Sequence, residues 1–274
     1  MTKALTESYT LSNGVEMPKF GLGVWKVADD VAASTVQAAV EAGYRSIDTA
    51  AAYQNEVGTG AGVRASGVAR DQLFITTKIW NAEQGYDTTL AAFQASLDKL
   101  QMDYVDLILI HWPVKGKYKD TWRALEKIYS EGKARAIGVS NFQIHHLQDL
   151  IESSEIVPMV NQVEYHPLLT QAELQAFCQE HNIRLTAWSP LMQGNLDIPL
   201  LAEIGAKYGK SPAQVVLRWD LHQGVVTIPK TTTPSRLVEN ADIFDFTLTE
   251  EEVAQISALN RNQRFGPDPD NFNF

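Results

Sequence analysis

Asp48, Tyr53, Lys78 and His111 are residue types that could move a proton together. A phenol is a poor proton partner near neutrality, because its reference pKa is about 10. An ammonium beside it stabilises the phenolate and is expected to lower that pKa. A carboxylate beyond the lysine would keep the lysine charged and aimed. A neutral imidazole could hydrogen-bond a carbonyl oxygen and orient it. The set suits proton donation to a carbonyl while a hydride arrives from elsewhere. Tyr53 would be the general acid, Lys78 would tune it, Asp48 would anchor Lys78, and His111 would orient the acceptor. Each residue also has a plain reading: a turn cap, a solvated strand end, a rim tyrosine, a rim histidine. Jointly the plain readings weaken, because three of the four close neighbouring strands on one face.

Those strands must be positioned by the rest of the chain. β-branched runs at Phe20–Leu22, Ser46–Asp48, Leu73–Lys78, Val105–Ile110, Ala134–Val139, Met159–Val163, Arg184–Ala187 and Val225–Ile228 predict eight strands. Helices are predicted between and after them, over Val31–Ala42, Thr88–Leu100, Tyr118–Glu131, Ile144–Glu152, Thr170–His181, Leu200–Tyr208, Ser211–Gln223 and Pro234–Asp242. Such alternation implies βαβ units and a parallel sheet. Ser211-Pro212 reads as a helix N-cap with proline in the first turn. Thr249 and Glu252 form a capping box that opens a late helix to about Asn260. Gly43, Gly132 and Gly224 fall just past helix ends, where a left-handed residue is wanted. Tyr9–Leu11 and Val15–Met17 flank Ser12-Asn13-Gly14, a hairpin signal, expected as a lid over the N-terminal end.

Eight parallel strands can close or lie open. Asp48, Lys78, His111, Ser140-Asn141, Gln162, Trp188 and Lys230 fall at or just past successive strand ends. Those ends converge on one mouth in a closed barrel and spread along an edge in an open sheet. The expected fold is therefore α/β, a (β/α)8 TIM barrel with an N-terminal β-hairpin cap and extra helices. It forms one domain over residues 1–274.

A hydrophobic content of 45% with 20% charged residues is a soluble, globular balance. No apolar run reaches the ~18 residues of a membrane span. The polar opening, Met1–Ser8, lacks an apolar signal segment, and Cys178 is the lone cysteine. Together these suggest the cytoplasm. A formal net charge of -10 argues against nucleic acid or an anionic membrane as partner. A local basic cluster can still hold a phosphate, since screening confines exposed charges to about 8 Å.

The stretch Gly43-Tyr44-Arg45-Ser46-Ile47-Asp48-Thr49-Ala50, followed by Tyr53 and Asn55-Glu56, resembles the aldo-keto reductase signature. So do Leu73-Phe74-Ile75-Thr76-Thr77-Lys78, His111-Trp112-Pro113, Ile137-Gly138-Val139-Ser140-Asn141-Phe142, and Ile228-Pro229-Lys230 with Arg236, Glu239 and Asn240. The motifs keep the family's order from about residue 9 onward. Within the family the chain is similar to the bacterial branch of 2,5-diketo-gluconate and glyoxal or methylglyoxal reductases. The resemblance makes Tyr53 the catalytic acid and Asp48, Lys78 and His111 its partners. It implies reduction of aldehydes or ketones by NADPH, with a small carbonyl compound as partner, in a monomer. An NADPH-binding, redox-sensing barrel without turnover is the alternative, and another α/β-barrel chemistry is a third.

The resemblance also implies cofactor contacts. Ser140, Asn141 and Gln162 would hold the nicotinamide carboxamide, and Trp188 would stack on its face, with Ser189 and Leu191 beside it. Lys230 and Arg236, at the last strand end and the next helix start, would grip the 2′-phosphate, because a helix N-terminus favours anions. Thr231 stands where the family usually has serine. Glu239 and Asn240 would contact adenine. Gly58, Gly60 and Gly62 do not make a dinucleotide loop; no strand precedes them and Val63 breaks the pattern, so a helix is expected. Trp25, Trp80 and Trp112 are expected to line an apolar substrate pocket. The tail with Phe272 and Phe274 is expected either as a lip of that pocket or as a free loop. No metal is expected: His145 and His146 are adjacent on a helix, predicted on different faces, and Cys178 lacks ligand spacing.

Overall fold

The computed structural model describes Leu5 and residues 7–274; positions 1–4 and 6, within the polar opening segment, lie outside the described residues. A hairpin of β1 (Ser8–Thr10) and β2 (Glu16–Pro18) comes first. The main sheet follows in strict chain order: β3 (Leu22–Gly23), β4 (Ser46–Asp48), β5 (Phe74–Ile79), β6 (Val105–Ile110), β7 (Ala134–Ser140), β8 (Val160–Glu164), β9 (Arg184–Trp188) and β10 (Val226–Thr227). Every neighbouring pair is parallel. β5 and β6 are buried at every position, as strands with helices outside and side chains inside must be.

The first and last strands meet. Phe20 bridges Thr227 in parallel, Gly21 N donates to Thr227 O at 3.0 Å, and Gly23 N donates to Pro229 O at 3.2 Å. The sheet is thereby a closed barrel, as the convergence of polar strand ends requires. Closure also explains why β3 sits later than the expected Phe20–Leu22: Phe20 pairs across the seam with Thr227, and the ladder to β4 forms at Leu22 and Gly23.

Helices α1 (Asp29–Glu41), α2 (Glu56–Ala65), α3 (Tyr86–Leu100), α4 (Tyr118–Ser130), α5 (Ile144–Ile151) and α6 (Ala172–Glu180) each connect successive strands. Both α7 (Pro199–Tyr208) and α8 (Pro212–His222) lie between β9 and β10; α9 (Pro234–Ala241) and α10 (Glu250–Ser257) follow. Ser211 and Thr249 cap α8 and α10 as expected. Helix α10 stops short of Asn260 because the chain turns back: Asn260 Oδ1 accepts from Thr170 N, and Arg261 N donates to Leu168 O.

The glycines of α2 are packing residues. A Cβ on Gly58 would lie 2.1 Å from Asp29 O, and one on Gly60 2.2 Å from Leu100 O. Only a bare backbone lets α2 approach α1 and the end of α3 this closely.

The hairpin covers the N-terminal end of the barrel. Tyr9 OH donates to Leu221 O, Asn13 Nδ2 donates to Arg135 O, and Arg184 lies over the Tyr9 ring. Arg135 and Arg184 stand near the starts of β7 and β9, so the strand C-termini at the opposite end form the free mouth.

Candidate active site

Asp48 is the last residue of β4, and Lys78 lies in the adjacent β5. A 3-10 turn over Ala51–Tyr53 follows β4 and ends at Gln54 with φ 56°. This short turn swings the Tyr53 hydroxyl back over the barrel. Asn55 pins it there. Its side chain, fully buried, donates to Val24 O and Val27 O at 2.9 Å each and accepts from Thr49 Oγ1 at 2.7 Å. Asn55 carries no chemistry of its own, so residue type alone did not reveal this role.

The four candidate residues meet. Lys78 Nζ, wholly buried, donates to Asp48 Oδ1 at 2.5 Å, to Thr49 O at 2.9 Å and to Tyr53 OH at 3.3 Å. Gln162 Nε2 holds the other Asp48 oxygen at 2.7 Å. The His111 ring packs edge-on against Tyr53, with centroids 5.7 Å apart.

Burial pushes the Lys78 ammonium down, but Asp48 and then Tyr53 more than reverse this and hold its pKa above the ordinary value. Lys78 is therefore a permanent cation at neutral pH. Tyr53 corrects one expectation. Burial first, and the Asp48 charge after it, push its phenol up against the pull of Lys78, and the net shift is upward. Tyr53 as a residue is half-buried, yet its hydroxyl lies against a lysine with no exposed surface, and local desolvation governs. The ammonium moderates the phenol without bringing it below its reference value. The His111 imidazole is held well below its usual range by burial and then by the Lys78 charge, so it is neutral, as expected.

The expected carboxamide contacts form a small network among themselves. Ser140 Oγ donates to Gln162 O at 2.8 Å, Asn141 Nδ2 donates to His111 O at 2.9 Å, and Trp188 Nε1 donates to Asn141 Oδ1 at 2.9 Å. Asn141 (φ 65°) and Ser189 (φ 49°) both take left-handed backbone conformations at the ends of their strands. Such strain collects where a site must re-aim its chain. Leu191 is half-buried beside them.

Past the end of β10, Lys230 and Arg236 are exposed, and neither is ion-paired among the described residues. The N-terminus of α9 between them has no side-chain cap. Thr231 Oγ1 accepts from Thr233 N at 3.1 Å, which leaves the hydroxyl proton to donate. Glu239 is exposed and accepts from Ser211, whereas Asn240 is buried. A dinucleotide phosphate needs an anion cradle at one end and a flat aromatic face with amide partners at the other. Lys230 and Arg236 suit the first, and Trp188 with Asn141 suits the second.

The aromatic expectations separate. Trp80 packs against His111 at 5.2 Å between centroids and stacks on Phe274 at 5.9 Å. Trp112 meets Phe272 and Phe274, each at 5.2 Å. Asn81 Nδ2 donates to Phe274 O. The tail is thus a lip of the mouth. Trp25 stands apart at 44% exposure, its ring under Lys26 Nζ at 4.2 Å, with no ring contact to this cluster among the described residues. A groove of about 760 Å3 runs outside the lip, lined by Trp80, Val114, Lys115, His145, Asp270 and Phe272 among others. The reacting groups do not line it; they lie one ring inward, past Trp80.

His145 and His146 do not diverge as expected. Their rings lie 4.0 Å apart, and Asp270 Oδ1 is 2.9 Å from His145 Nε2 and 3.6 Å from His146 Nε2. They sit in the first turn of α5, where the tail's carboxylate draws both rings to one side. His146 Nδ1 accepts from Gln143 N at 3.1 Å, which puts the ring proton of neutral His146 on Nε2, aimed at Asp270. A metal at Nε2 would have to displace that proton; as the group stands, Asp270 joins the tail to the first turn of α5.

The closed barrel and its mouth define the class, and the chain belongs to the aldo/keto reductase family, whose sequence profile matches residues 17–261. The chain is 60% identical to the glyoxal reductase of Bacillus subtilis (strain 168), over 100% of both chains. It is 48% identical to methylglyoxal reductase DkgA of Salmonella typhimurium, over 96% of each. Among solved structures, an aldo-keto reductase of Bombyx mori in complex with NADP matches with a TM-score of 0.91 at 38% identity, covering 96% of this chain and 95% of that one.

Proposed function

We propose that this protein reduces aldehydes and ketones to alcohols with NADPH, taking 2-oxoaldehydes such as methylglyoxal, aromatic aldehydes or keto-sugar acids. One observation carries the reading: the Tyr53 hydroxyl lies 3.3 Å from a wholly buried lysine that is itself paired to a carboxylate, beside a neutral imidazole. NADPH, when bound, supplies the hydride. His111 donates a hydrogen bond to the carbonyl oxygen and orients it. Tyr53, kept protonated by its raised pKa, gives its proton to that oxygen as negative charge develops there. Lys78 stabilises the phenolate left behind, and Asp48 keeps Lys78 charged and fixed. Trp80 and Trp112 wall the substrate from water. Ser140, Asn141, Gln162 and Trp188 hold the nicotinamide end, with Ser189 and Leu191 alongside. Lys230, Thr231 and Arg236 hold the 2′-phosphate, and Glu239 and Asn240 the adenine.

We read the chain as one barrel domain over residues 1–274, acting as a cytoplasmic monomer without a metal. The buried, lone Cys178 is compatible with a reducing compartment. The test is the fall in NADPH absorbance with methylglyoxal and the other carbonyl classes. Tyr53→Phe should lower kcat about a hundred- to ten-thousand-fold, the usual contribution of a general acid, with NADPH still bound. Near-normal turnover in Tyr53→Phe would remove the acid from the mechanism.

A further inference from the structure

Glu164 has no place in the chemistry above, yet its carboxylate is completely buried at the end of β8. A buried carboxylate needs donors. It takes them from the chain past α10: Phe265 N at 2.7 Å and Gly266 N at 3.2 Å to each of its oxygens; the Arg264 charge lies 3.9 Å away, and His166 Nε2, two residues along from Glu164, at 3.2 Å. Two successive backbone N–H groups of the tail are thereby tied to the barrel rim.

What that tie places is Trp188. Glu164 and Trp188 are register partners on β8 and β9. A Cβ on Gly266 would lie 2.3 Å from Trp188 Cη2 and 2.9 Å from Cζ3, so the tail backbone presses on the outer edge of the indole. At the inner end, Trp188 Nε1 donates to Asn141 Oδ1. The indole is gripped at both ends, and glycine alone fits at the outer grip. We infer that Glu164 and Gly266 are positioning residues: the carboxylate draws the tail across Trp188 and sets the indole before the cofactor arrives. A platform fixed in advance loses less freedom on binding. This deepens the proposed function and rests on its reading of Trp188 as the nicotinamide face.

Glu164→Gln keeps the shape and replaces one acceptor oxygen with a donor facing Gly266 N. Gly266→Ala leaves Glu164 intact and drives a methyl into the indole. The first readout needs no ligand: the Trp188 indole N–H resonance, assigned by its loss in Trp188→Phe. It should shift or broaden in both variants while the other indole signals hold. The second is NADPH affinity by fluorescence titration. It should weaken about tenfold, the size of one charged hydrogen bond, appearing in KM for NADPH more than in kcat. A Trp188 resonance unmoved in both variants overturns the inference, whatever happens to melting temperature. A moved resonance with unchanged NADPH affinity overturns the link to the cofactor. If the wild-type protein bound no NADPH, the proposed function would fall, and the ligand-free resonance would still decide whether the strap sets the indole.

Discussion

Asp48→Asn separates the charge of the ion pair from its shape. Lys78 has no exposed surface, and among the described residues Asp48 is its one anionic partner, at 2.5 Å. The asparagine amide cannot satisfy both neighbours. If its oxygen keeps accepting from Gln162 Nε2, its NH2 faces the ammonium; if it flips, its NH2 faces Gln162. An ammonium left buried without its carboxylate destabilises the fold by about 3–5 kcal/mol. Burial is the largest influence on Lys78 and acts downward; only Asp48 and Tyr53 reverse it. Without Asp48 the folded pKa of Lys78 should fall below the reference value of 10.5.

The consequences then run in opposite directions with pH. In the wild type the folded pKa is raised, so the pair's stabilisation is complete below the unfolded value and is lost as pH rises through the folded one. In the variant the unfolded chain binds the extra proton between the lowered folded pKa and 10.5, so stability should rise with pH across that window. Activity should fall across it, because a neutral lysine no longer supports the Tyr53 phenolate. At 3.3 Å and an effective dielectric of about 20, that support is on the order of 5 kcal/mol before solvent competes. The assays are urea unfolding and kcat/KM over a common pH series. A variant with the wild-type pH profile in both would refute the claim that Asp48 keeps Lys78 charged.

Arg236→Ala should weaken NADPH about tenfold and leave NADH nearly unchanged, as loss of one charged hydrogen bond to a phosphate requires; equal losses in titrations of the two would remove the phosphate role. Gly60→Ala places a methyl 2.2 Å from Leu100 O and should destabilise by about 1–3 kcal/mol through overpacking, measured by calorimetry; an unchanged melting temperature would contradict the α2–α3 contact. The folded pKa of His111 lies well below 6.5, so below pH 6.5 the unfolded chain takes up a proton that the folded chain refuses. Stability should therefore fall with falling pH by up to about 1.4 kcal/mol per pH unit from this group. His111→Gln should flatten that slope in denaturant titrations, and parallel slopes would show that His111 does not supply it.

The positions of the strands and the candidate tetrad were legible in the amino-acid sequence. Period-two and period-3.6 patterns are local, and polar residues at the ends of apolar strands stand out against them. Asp48, Lys78 and His111 could be placed on neighbouring strand ends, and helix caps such as Ser211 and Thr249 fell where their side chains can close the first turn. Which way each site group would titrate was not legible. The Tyr53 phenol depends on a balance between desolvation and a charge 3.3 Å away, and that balance exists only after the turn after β4 folds back over Lys78. The same holds for contacts that span the chain. Glu164 meets the backbone of residues 265 and 266, Asp270 gathers His145 and His146, and Phe272 and Phe274 cover Trp80 and Trp112 while Trp25 stands aside. No local pattern encodes such pairs; they arise because a closed barrel brings strand ends far apart in the chain to one rim, and the tail is then held by whatever donors and acceptors that rim presents.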